Sequence, residues 1–146
     1  MAVEATIGIV SHRLRVDDRD VPVRRAGRGW YAIPGIGPGG SSRIRYSPFS
    51  DRIRIEAAGP ALEIRFHLRR TTFVWQGRAY RIRSMAWGRV VVEREGRAVV
   101  RGTITWSGVR LDRVVPEIAP IVRELALGLA FRAAWLMSAA VAAGAH

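Results

Sequence analysis

The chain contains no cysteine, no lysine and no asparagine. The first absence excludes a disulfide, a thiol nucleophile and a cysteine-held zinc. It also excludes a small secreted scaffold stapled by disulfides. Without lysine, all 24 basic residues are arginine. GC-rich coding accounts for the missing lysine and asparagine, because both have AT-rich codons. It does not account for a net charge of +12, since only 12 residues are acidic although their codons remain available. A surplus of that size favours an acidic partner: phosphate, nucleic acid or an anionic membrane surface.

Chemistry-bearing groupings are also scarce. His12, His67 and His146 are the only histidines, and no pair has metal-ligand spacing. No serine sits in a Gly-x-Ser-x-Gly elbow. Gly35-Ile36-Gly37-Pro38-Gly39-Gly40 has the glycine content of a phosphate loop but lacks its Lys-Ser/Thr ending, and reads as a loop. Asp17, Asp18 and Asp20 stand among competing arginines and read as a charged turn. The expectation is a protein that is not an enzyme and carries no metal or cofactor. The N-terminus lacks a basic stretch followed by an apolar core, so no signal peptide is expected and a cytoplasmic location is the default.

What is present is a globular composition. Hydrophobic residues make up 49% of 146, which excludes disorder and predicts a single domain. Residues 1–42 are poorly patterned, with one strand expected over 1–10 and a loop over 34–42. Residues 43–107 alternate. Ile44 and Tyr46 share a face, as do Ile53, Ile55 and Ala57, and then Leu62, Ile64, Phe66 and Leu68. Period two of this kind predicts half-buried strands. Turns are expected at Gln76-Gly77 and at Gly96. In the last expected strand, Ala98, Val100, Ile104 and Trp106 share a face. No connection is long enough for a crossover helix, so the strands are expected to be antiparallel. The five tryptophans read mostly as core or turn anchors, with Trp87 the one expected to be partly exposed.

Residues 116–144 then form one long apolar helix. On a wheel, Glu117, Glu124, Gly128, Arg132 and Ser138 fall on one narrow stripe, Arg123 sits off it, and the remainder is apolar. A surface helix has an apolar arc of only about 100°, so this one should be enclosed. Three places remain open: inside its own strands, in a bilayer as a tail anchor, or against an open sheet or a second copy. For a span over 125–145, the leucines, Phe131 and Val141 contribute about −3 kcal/mol and Arg132 costs about +3 kcal/mol, which makes insertion marginal.

Strands with their charge outside, ending in an apolar helix, resemble the tubby-like and LURP-one-related proteins, a group that includes the phospholipid scramblases. The resembling stretches are Thr72-Phe73-Val74-Trp75-Gln76-Gly77-Arg78-Ala79-Tyr80, then 88–106, then 116–144. The resemblance implies a mainly β fold: a closed antiparallel β-barrel around a central hydrophobic C-terminal α-helix. For the tubby proteins it implies phosphoinositide head groups bound by surface basic residues.

The residues point to such a surface on their own account. If Ile44, Ile53, Ile64 and Ile82 face inward, then Arg43, Arg45, Arg52, Arg54, Arg65, Arg69, Arg81 and Arg83 face outward. Arginine forks match phosphate oxygens bidentately, and strands ~4.8 Å apart could align them into one patch. The alternative is a solvated face whose arginine stems cover apolar surface. An RNA platform would need exposed aromatics. Tyr46, Phe66 and Tyr80 alternate inward instead, so anionic lipid or another polyanion is the expected partner and nucleic acid the lesser one.

Overall fold

The computed structural model describes residues 1–9, 11–35, 41–57, 60–83, 88–105 and 107–144. The expectations for residues 36–40, Trp87 and Trp106 lie outside these. Among the described residues thirteen strands come first: β1 (Val3–Ile7), β2 (His12–Val16), β3 (Arg19–Val21), β4 (Arg24–Arg25), β5 (Trp30–Ile33), β6 (Ser42–Ser47), β7 (Arg52–Glu56), β8 (Leu62–Arg65), β9 (Thr71–Trp75), β10 (Arg78–Arg83), β11 (Val90–Arg94), β12 (Arg97–Ile104) and β13 (Gly108–Val114). A 3₁₀ turn (Ala119–Ile121) then leads into α1 (Val122–Gly144). The protein is mainly β with one C-terminal helix, and every ladder is antiparallel.

The strands form two sheets. The larger has the order β3-β2-β1-β13-β12-β11-β10-β9, the smaller β4-β5-β6-β7-β8. Among the described residues the hydrogen-bonded ladder is not continuous around the molecule: it stops between β3 and β4 and between β8 and β9. Residues 1–42, unpatterned in sequence, supply β1 to β5 and the start of β6. Their strands are short and charged, and those at the sheet ends have only one covered flank, so alternation is faint there. The tight turns form where expected. Gln76-Gly77 and Glu95-Gly96 both adopt positive φ at each residue, the conformation whose twist suits a two-residue hairpin. Asp17-Asp18 does the same between β2 and β3.

Ile44, Ile53, Ile64 and Ile82 are buried as expected. Two parts of the period-two reading fail. β8 ends at Arg65, so Leu68 lies in a connection and is fully exposed, and Ala57 is exposed beyond β7. A bulge opposite Val92 and Glu93 resets the alternation of β12: Val99 is the extra residue between Ala98 and Val100, and Val99 and Val100 are both buried.

α1 lies between the sheets. It touches β13, β1 and β2 of the larger and β6 and β7 of the smaller. Leu125, Leu127 and Leu129 are completely buried. Three members of the polar stripe, Glu124, Gly128 and Arg132, face the smaller sheet, whereas Glu117 precedes α1 and Ser138 is exposed. Ser42 Oγ donates to Glu124 Oε1 at 2.6 Å. Arg132 reaches Asp51 through Nε and a terminal nitrogen at 2.8 and 3.1 Å. Between them, Gly128 lets the helix backbone approach closely: a Cβ there would lie 2.8 Å from Ile53 Cγ2 and 3.0 Å from Ile44 Cδ1.

Enclosure stops half-way. Residues 122–133 are the buried part, whereas Trp135, Leu136 and Val141 are exposed. The expectation of an enclosed helix over 116–144 is corrected accordingly. The body is about as deep as β6 is long, six residues at ~3.3 Å each, and a helix advancing 1.5 Å per residue outruns it after about 13 residues.

Two substitutions test this packing. Leu129→Arg buries an unpaired charge and abolishes soluble folding, read as loss of protein from the soluble fraction. Gly128→Leu drives a side chain into Ile44 and Ile53 and lowers stability by about 3 kcal/mol, read from the urea midpoint.

Candidate anion-binding site

The eight outward arginines fall into two groups. Arg43 and Arg45 stand on β6, Arg52 and Arg54 on β7, and Arg65 on β8, all on the outer face of the smaller sheet. Register brings like charges together: Arg45 is directly opposite Arg54, and Arg52 directly opposite Arg65. Such pairs destabilise a sheet unless something neutralises them. Part of that face is neutralised internally. Glu56 accepts from Arg43 at 3.1 Å and lies 3.7 Å from Arg54, and Glu63 pairs with Arg52. Arg43 also lies over the Trp30 ring, 4.7 Å from its centroid. Exposed pairs of this kind are worth at most about 1 kcal/mol. Among the described residues, Arg45 and Arg65 have no carboxylate partner.

Arg69, Arg81 and Arg83 stand elsewhere. β8 ends, residues 66–70 connect it to β9, and Ile82 pairs with Thr71 at the near end of β10. Between that connection and the end of β10 lies a cleft of about 410 Å³, lined by Arg69, Arg70, Arg81, Arg83 and Arg132 together with Asp51, Phe66, His67, Leu68, Thr71 and Ile82. Arg83 is partly engaged by Glu93 at 3.2 Å. Arg81 Nε is buried with no hydrogen-bond partner among the described residues. A buried donor without an acceptor carries a desolvation penalty of about 1–3 kcal/mol, which an incoming oxygen would remove. The single patch expected from sequence is therefore divided, five arginines on the smaller sheet and three in the cleft.

The cleft floor is the point where α1 leaves the body. Asp51 accepts both Arg132 bonds, and Tyr46 Oη donates to it at 2.8 Å. Burial and that bond push the Tyr46 hydroxyl far above its ordinary range. The Arg132 guanidinium covers the Phe66 ring, 4.3 Å from the centroid. Across the helix, His12 packs edge-on against Tyr31 and Phe131, with ring centroids 5.1 and 4.9 Å away. Arg132 and Arg70 were not among the sequence candidates. Arg132 sat within an apolar run and read as a cost; Arg70 stands beside Arg69 in a stretch whose alternation suggested a longer strand.

No family model, curated protein or solved structure matches this chain.

At the opposite end of the body, Glu117 gathers Tyr80 Oη at 3.2 Å, Arg94 at 3.0 Å and Arg78 at 3.4 Å. Burial disfavours its charge, but the donors from Arg94 and Tyr80 prevail and hold the carboxyl below the usual range. This cluster clamps the residues leading into α1 onto β10 and β11.

His12 supplies a pH test. Burial, then the Arg25 charge, lowers its pKa from 6.5. The fold favours the neutral ring, so the unfolded chain takes up the proton first as pH falls. The stability this ring contributes is present above about pH 6.5 and is lost below it. Melting temperature should fall between about pH 7.5 and 5, and the His12→Phe variant should lose that part of the slope.

Proposed function

We propose that the protein is a non-enzymatic binding module that engages anionic phospholipid, and that the two sheets act together as a barrel-like wall around the buried half of α1. The barrel reading is supported by β8 lying beside β9 and by the helix touching both sheets. The order of elements, strands first and an apolar helix last, supports the likeness to tubby-like and LURP-one-related proteins.

The binding reading is carried by the cleft. Five arginines line it, and its one carboxylate, Asp51, is already held by Arg132 and Tyr46. Among the described residues, that leaves donors without matching acceptors. Such a site suits phosphate oxygens, which accept bidentate arginine contacts at several positions. The +12 surplus would add long-range attraction to an anionic surface. Nucleic acid fits less well, because Trp30, an aromatic beside the outer arginines of the smaller sheet, is itself covered by Arg43.

The helix gives a second reason to look toward a bilayer. Ala119–Gly144 is long and apolar enough to cross one by composition, although 39% of its most apolar window is buried. A tail anchor over 125–145 would have to withdraw Leu125, Leu127 and Leu129 from the core. Burying each such side chain is worth about 1.5–3 kcal/mol. Surface association that leaves the body intact is therefore preferred over a span.

Co-sedimentation with vesicles tests the reading. Binding is expected to vesicles containing phosphatidylserine, to weaken with salt, and to be absent with pure phosphatidylcholine. The double substitution Arg69→Gln, Arg81→Gln should weaken it roughly 30-fold, at about 1 kcal/mol per arginine. Equal binding to both vesicles would remove the electrostatic mechanism.

A further inference from the structure

Of the exposed large apolar side chains among the described residues, Met1 and Val74 stand apart and the other six gather at one end. Ile9 lies between β1 and β2, Phe49 between β6 and β7, and Leu68 between β8 and β9; all three are fully exposed. Trp135, Leu136 and Val141 are exposed on α1.

The three tips are tied to the point where the helix emerges. His12, which closes the β1–β2 hairpin by pairing with Ile7, packs on Phe131. Asp51, two residues past Phe49, binds Arg132. Phe66, two residues before Leu68, lies under the same guanidinium. Pro48, next to Phe49, lines a hollow with Trp135. The antiparallel order agrees, since these connections all fall at one end of the body. The arginine cleft opens at that end too, with Leu68 and Arg132 in its lining.

From Ala133 to Gly144 no residue is charged. Residues 135–144 rise about 15 Å at 1.5 Å per residue, half of a hydrocarbon core about 30 Å thick. Trp135 stands where they leave the body, and tryptophan favours the level between head groups and acyl chains.

We propose that this end is a membrane-docking surface. The projecting turns of α1 and the tips Phe49 and Leu68 enter the acyl layer of an anionic leaflet, while the cleft arginines stay at the phosphates. Arginine stems suit that depth, because their apolar length can lie along the acyl boundary with the head in the polar layer. Charge decides for lipid over a second copy of the chain. A symmetric pair joined through this end would bring two arginine rims face to face, whereas an anionic leaflet neutralises one. The inference rests on the lipid reading above and adds what that reading leaves open: which surface meets the membrane, and that the contact is apolar as well as electrostatic.

The absence of native cysteine makes a site-by-site test clean. Single variants Phe49→Cys, Leu136→Cys, Arg54→Cys and Val74→Cys each carry an environment-sensitive nitrobenzoxadiazole label. All four positions are exposed, and far-UV circular dichroism confirms that each variant is folded. On adding phosphatidylserine vesicles, labels at 49 and 136 should shift to shorter wavelength and brighten. Labels at 54, on the smaller sheet, and at 74, on β9, should keep their buffer spectra. Response at 54 or 74 with silence at 49 and 136 overturns the docking geometry while leaving anionic-lipid binding in place. Failure to co-sediment at all removes the lipid reading itself, and this surface with it. A label at 136 already shifted before vesicles are added, with a doubled mass by light scattering, assigns the helix to a second copy and overturns the proposal. A further variant, Leu136→Glu, should bind phosphatidylserine vesicles at least tenfold more weakly with an unchanged melting temperature; unchanged affinity would show that the helix stays out of the acyl layer.

Discussion

A helix whose first half has no solvent side imposes one condition on everything around it: the few polar or missing side chains of that half must be matched by the wall it touches. Here the match is made on the smaller sheet. Ser42 meets Glu124, Ile44 and Ile53 fill the space that Gly128 leaves, and Asp51 meets Arg132. These contacts follow one another along α1 at intervals of four residues, one helical turn. They set the depth and rotation of the helix against β6 and β7. Sliding it by a turn would leave a buried carboxylate and a guanidinium without partners, and buried charges of that kind are costly.

That rotation has consequences at both ends of α1. Glu117 is drawn to Tyr80, Arg78 and Arg94, which binds the start of the helical segment to the larger sheet. At the far end Arg132 closes the core on Asp51 and Phe66, and all beyond Ala134 lies outside the strands. The cleft arginines surround this same closure. A cationic rim and an apolar projection are thus produced together, by one helix longer than the body that holds it.

Much of the body could be read residue by residue. The inward set Ile44, Ile53, Ile64 and Ile82 follows from period two, and the hairpin turns at Gln76-Gly77 and Glu95-Gly96 follow from turn chemistry. The helix followed from its long, largely apolar run. Apart from the strand expected over 1–10, which is β1, the strands of residues 1–42 did not, since pieces such as Arg19–Val21 and Arg24–Arg25 are too short and too charged to show a period. Leu68 continued the alternation of its neighbours on paper, yet the chain turns away after Arg65. Period two says which residues share a face only while the strand lasts.

Composition and local pattern determined that this chain is rich in antiparallel strands, that arginines decorate them, and that an apolar helix closes the described part of the sequence. These are properties of single residues and close neighbours, so they survive without knowledge of the fold. Only the tertiary structure decided that the arginines divide between a sheet face and a cleft, that Glu124, Gly128 and Arg132 of the polar stripe face the smaller sheet, and that half of the helix stands free. Each of those depends on where distant segments meet: Asp51 with Arg132, Ser42 with Glu124, the 66–70 connection with the end of β10. Their meeting is set by the lengths of strands against the rise of a helix, which no local pattern contains.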